Sequence, residues 1–164
     1  RGGLTMAGDI RQKERAIVTL SSSIASMTNS SAAVANGTAD FDATSSGNFP
    51  DDMCAQFEWT VQWATITGIT AGTIVGELYL LPILDGTNVP DIDTTSGSSK
   101  LPVASYAGYF EATKAPTANT NARFISPNVF FNPVLMRPYI KNTSGQTTAS
   151  NSTLKAVGVQ GQYT

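Results

Sequence analysis

Ala55-Gln56-Phe57-Glu58-Trp59-Thr60-Val61-Gln62-Trp63 alternates strictly, with Phe57, Trp59, Val61 and Trp63 on one side and Gln56, Glu58, Thr60 and Gln62 on the other. Successive side chains of a strand point to opposite faces, so this pattern predicts a half-buried antiparallel strand running on towards Ile66. The apolar face admits two readings. Trp59 and Trp63 can form the core, where a large aromatic buries on the order of 150–250 Å², or they can form an exposed platform that stacks sugar rings. An exposed patch of Phe57, Trp59, Val61 and Trp63 would be costly in water, which favours the core.

Outward from this strand the same period recurs. Gly68 to Gly72 supplies a turn, and Thr73 to Leu84 reads as the next strand, ended by Asp85-Gly86-Thr87-Asn88. Leu101 to Ala112, Arg123 to Ile125, Val129 to Ile140 and Leu154 to Tyr163 follow. Pro133 and Pro138 predict an edge, a bulge or a break within the run from Val129. Before Ala55, Glu14 to Ser23 reads as a strand, and 29–48 as a loop with a short strand near Thr38 to Phe41. About eight short strands at this spacing predict an all-β, antiparallel β-sandwich of jelly-roll or Greek-key type. It is expected as one domain over 15–164, preceded by an extended N-terminal arm over 1–14.

Composition narrows the chemistry. Charged residues make up 13% of the 164 residues, against roughly 25% in an average soluble domain. Ser, Thr, Asn and Gly must therefore provide much of the polar surface. The net charge of −2 offers no general attraction for nucleic acid or for an anionic membrane. No apolar run approaches the roughly 20 residues of a membrane-spanning helix. Arg1-Gly2-Gly3-Leu4 carries neither an initiator Met nor a signal-peptide core, so residues are expected to precede it. The charges are sorted along the chain: +2 over 1–15, −9 over 16–99 and +5 over 100–164. Either folding interleaves these segments, or the basic residues Arg1, Arg11, Lys13 and Arg15 reach an acidic surface on a partner.

The chain has no histidine and one cysteine, Cys54. That removes Ser-His-Asp and Cys-His catalysis, the usual zinc ligand sets and any intramolecular disulfide. Cys54 is expected to be a buried strand residue. Glu58 and Glu77, on consecutive predicted strands, could be cross-strand neighbours of the kind glycosidases use, although Glu58 shares the polar face with Gln56 and Thr60. Asp93-Thr94-Thr95-Ser96-Gly97 lacks the Asp-Thr-Gly of aspartic proteases, and the loop Asp85 to Asp93 offers oxygen ligands for calcium without EF-hand spacing. No Gly-rich phosphate loop is present. The expectation is a protein without catalytic residues, metal or cofactor.

Gly76-Glu77-Leu78-Tyr79-Leu80-Leu81-Pro82-Ile83-Leu84-Asp85-Gly86-Thr87-Asn88, Lys141-Asn142-Thr143-Ser144-Gly145 and Asn151-Ser152-Thr153-Leu154-Lys155-Ala156 resemble segments of small virion proteins of tailed bacteriophages. The chain looks like the β-sandwich or jelly-roll proteins that decorate or cement icosahedral heads. The resemblance implies a protein on the outer capsid surface of the virion, clamping the major capsid protein, often as a homotrimer. Its rivals are a receptor- or carbohydrate-binding domain of a head or tail fibre, which would expose Trp59 and Trp63, and another tail or neck structural protein.

Overall fold

The computed structural model describes residues 10–14, 16–29, 31–34, 40–50, 52–84, 101–149 and 152–163, with 10–14, 32–34, 53 and 160–163 described through their backbone. These residues form β1 (Ile10–Glu14), β2 (Val18–Ile24), β3 (Ala32–Val34), β4 (Phe41–Asp42), β5 (Asp52–Val61), β6 (Ile74–Pro82), β7 (Tyr106–Glu111), β8 (Ala122–Ile125), β9 (Val129–Phe130), β10 (Leu135–Asn142) and β11 (Ser152–Tyr163). The described residues contain no α-helix, only a 3₁₀ turn at Val103–Ser105.

All pairings are antiparallel and build two sheets. In the first, β11 lies between β5 and an edge made of β1 and β2 end to end, and β5 carries β8 and β9 on its other side. In the second, β10 lies between β6 and an edge of β3 and β4, and β7 flanks β6. Counting the paired fragments as single ladders gives the order 1-8-3-6 facing 2-7-4-5, which is the jelly roll.

The predicted alternation of β5 is observed. Phe57, Trp59 and Trp63 are 0% exposed, and Val61 is buried with them. Two aromatic groups fill the space between the sheets. Phe41 stacks on Phe49 at 4.2 Å between ring centroids and meets Phe57 and Phe131. Further along β5, Trp59 packs against Trp63, Phe110 and Phe124. The strand itself ends at Val61, and Trp63 makes a single bridge to Thr148.

The prolines act in different ways. Pro133 lies in the break between β9 and β10, as its missing N–H requires. Pro138, by contrast, is buried inside β10. It pairs with Leu80 on one side and falls between the stretches paired to β3 and β4 on the other. On the β8–β9 edge, Ser126 bridges the gap before Pro127. Its N–H donates to Phe57 O at 2.8 Å, and its hydroxyl accepts the Phe57 N–H at 3.0 Å. The turn expected at Asn142 to Gly145 is present, with Gly145 at φ 77°, a conformation costly for other residues. Buried Asn142 ties it down, donating to Met27 O and Gln146 O while Ser144 donates to its side-chain oxygen.

At the N-terminus the structure changes the expected boundary. Residues 10–14, assigned to a free arm, are strand β1, paired from Ile10↔Tyr163 to Glu14↔Val159. The β11 backbone pairs with β5 only as far as Gln160↔Asp52, so beyond it β1 and β11 continue as a two-stranded ribbon. Arg1 and Arg15 lie outside the described residues.

Gly76 on β6 is the seat for Trp59. A Cβ added there would stand 2.7 Å from Trp59 Cζ3. Gly76→Ala is therefore expected to destabilise the fold by about 1–3 kcal/mol through overpacking, read as a lowered urea midpoint at unchanged m-value.

Candidate assembly surface

The residues singled out for chemistry are dispersed. Glu58 and Glu77 are not cross-strand neighbours, because the chain passes from one sheet to the other between β5 and β6. Each is neutralised separately. Glu58 pairs with Arg123 and lies 3.8 Å from Lys155, across the strand on β11. Glu77 accepts a 2.8 Å hydrogen bond from Tyr79 Oη and lies 3.9 Å from Lys141. With Arg137, which grips Asp40 through Nε and Nη2 at 2.9 and 3.1 Å, each of these ion pairs joins an acid of 16–99 to a base of 100–164. The strand order thus interleaves the segregated charges.

Trp59 and Trp63 are in the core and present no platform to a sugar. Trp63 Nε1 donates to Ser144 Oγ at 3.1 Å, whereas Trp59 Nε1 is buried without a partner among the described residues. Cys54 is buried, and burial together with the charge of Asp52 pushes its thiol pKa up, which holds it protonated and unreactive. No group of three or more Cys, Asp or Glu placed to hold a metal occurs among the described residues. The loop Asp85 to Asp93 lies outside them.

What the surface does offer is apolar. Val103 is 89% exposed and Phe130 74%, and Leu84 and Tyr106 are exposed with them. These residues gather at the end of the sandwich where β6 finishes, β7 begins and β9 passes into β10. Between them lies a groove of about 270 Å³, lined by Leu80, Pro82, Tyr106, Phe130 and Met136, and none of its described lining residues is charged. Phe130 pairs with Cys54, close to where β5 starts and where the β1–β11 ribbon projects. The backbones of Arg11 and Lys13 therefore lie at the same end as the groove. No family model, curated protein or solved structure matches the chain.

A second apolar patch lies on the outer face of the first sheet. There Ile17 and Ile125 flank a hollow of about 160 Å³ beside Val157, crossed by the Arg123–Glu58–Lys155 array. The sequence carried a signal for both patches that the strand count did not use. Val129-Phe130-Phe131 and Phe124-Ile125 are consecutive apolar residues at sheet edges, and alternation sends Phe130 and Ile125 outward.

The outer face of the second sheet carries a small buried cluster of Tyr79, Leu81 and Tyr139, packed against Leu101. Tyr79 and Tyr139 face each other across β6 and β10, and Tyr106 meets Tyr79 edge-on at 5.6 Å. Burial raises the pKa of Tyr79, Tyr106 and Tyr139, and for Tyr79 the bond to Glu77 adds to it. In the folded state these phenols stay protonated above the ordinary value of 10.0. Their contribution to stability is complete below that value and is lost as pH rises through the folded values. Tyrosinate absorbance should show late-titrating tyrosines that return to the ordinary range in denaturant, and the urea midpoint should begin to fall above about pH 10.

Proposed function

We propose that this chain is a non-enzymatic virion structural protein that binds the outer surface of a phage capsid and stabilises it. The observation that carries the reading is the apolar surface at one end of the sandwich. Tyr106 and Phe130 line an uncharged groove at the end from which the β1–β11 ribbon projects, and exposed Val103 stands beside its lining residue Ala104. Exposed aromatics of this kind mark binding surfaces, and their burial against a partner is worth about 1.5–3 kcal/mol per side chain. The small charge content suits contacts with a crowded lattice, where many weak contacts made together raise affinity. The resemblance of Gly76 to Asn88 and Lys141 to Gly145 to decoration proteins names the lattice: the major capsid protein, met by a homotrimer. Among the described residues the outer strands of both sheets have no further strand beside them, and a homotrimer would cover such edges.

The test is binding of purified protein to capsids stripped of it. Val103→Ser combined with Phe130→Ser is expected to leave the melting temperature unchanged and to weaken occupancy about tenfold or more. Equal occupancy by the variant would overturn the reading. Removal of residues 1–9, which spares β1, is expected to leave a folded domain with reduced occupancy; undiminished occupancy would remove the basic N-terminal residues from the contact.

A further inference from the structure

At the opposite end of the sandwich from the Phe130 groove, residues 112–121 connect β7 to β8 and border an open pocket of about 390 Å³. We propose that this pocket binds a sugar ring bearing a carboxylate, a function additional to capsid attachment and independent of it.

The pocket is built on fixed points. Its entry is clamped to the β5–β6 turn, where Gly72 N–H donates to Ala112 O at 2.8 Å and Ala112 N–H to Thr73 O at 2.9 Å. Its far side is held by Asn119, whose N–H donates to Trp63 O at 2.8 Å. Asn119 is the only non-glycine residue with positive φ, 56°, among the described residues. Such backbone persists where the surroundings impose it. Phe124, which lines the pocket, packs edge-on against Trp63 with ring centroids 5.8 Å apart. A loop tied at both ends and seated on a rigid aromatic core is preorganised, which lowers the ordering cost of binding.

The lining selects the ligand class. Lys114 and Arg123 line the pocket, and none of its described lining residues is acidic. Arg123 is engaged by Glu58, but that carboxylate is shared with Lys155. Lys114 has no ion-pair partner among the described residues, so the local charge is positive. Thr113, Thr117, Thr120 and Asn121 add hydroxyl and amide groups. Of these, only Thr120 makes a side-chain hydrogen bond among the described residues, a long one of 3.4 Å to Ala118 O. A carboxylate answers the two cations, ring hydroxyls answer the threonines and asparagine, and half-buried Pro116 and Ala122 supply an apolar wall. The volume falls in the range of small-ligand sites. A neutral sugar would leave Lys114 unanswered, and a bare inorganic anion would leave the hydroxyls and the apolar wall unused.

The experiment is an NMR titration of amide resonances in the full chain with glucuronic acid, glucose and inorganic phosphate in parallel. Glucuronic acid is expected to shift the amides of 113–123 saturably, with glucose without effect and phosphate much weaker. Lys114→Gln, at an exposed position, is expected to weaken glucuronic acid binding about tenfold while leaving all other resonances in place. Absence of shifts over 113–123, glucose binding as well as glucuronic acid, phosphate binding as strongly, or unchanged affinity in the variant would each overturn the proposal. None of these outcomes bears on capsid occupancy, which is read separately.

Discussion

The inward row of β5 is the constraint on which the remaining structure depends. Phe57 belongs to one aromatic group, and Trp59 and Trp63 to the other. One strand therefore sets the spacing of the two sheets along most of its length. Trp59 reaches the facing sheet, where a Cβ at position 76 would crowd its ring. β5 is also paired on both edges, to β11 and to β8 and β9. A shift by one residue would turn the entire aromatic set to solvent, so the register is fixed by burial. The Trp59 indole N–H, without a partner among the described residues, shows packing prevailing over hydrogen bonding at the centre.

That dominance explains what was legible in the amino-acid sequence. Strands whose alternation meets a deep core, β5, β6 and β11, announce themselves at nearly their observed positions. So do turns whose glycines occupy left-handed backbone, Gly72 and Gly145. The short β3 lies in a Ser-, Ala- and Thr-rich stretch read as loop, because three residues carry too little pattern to betray a period. β1 was hidden differently: Ile10-Arg11-Gln12-Lys13-Glu14 is polar and resembles an arm, and only its backbone pairing to β11 makes it a strand. Pro138 misleads in the opposite sense, since a proline is tolerated inside a central strand where neighbouring ladders leave a gap.

The candidate site was less legible than the fold, and the reason is topological. In a jelly roll, consecutive strands mostly cross to the other sheet, so proximity in sequence is a poor guide to proximity in space. Glu58 and Glu77 separate for that reason, and the same crossing brings acids of the middle segment beside bases of the last third. The exposed residues Val103 and Phe130 are apolar and were absorbed into strand patterns; their outward direction depends on edge geometry.

The pairing of Ile10 with Tyr163 means that the chain enters and leaves the domain side by side, at the end that carries the Phe130 groove. Cargo joined next to Ile10 or Tyr163 would be held against whatever that end meets. The connection between β7 and β8, at the far end, is the place where an inserted peptide would project outward, making the fold a one-sided display scaffold with its presentation point in mid-chain.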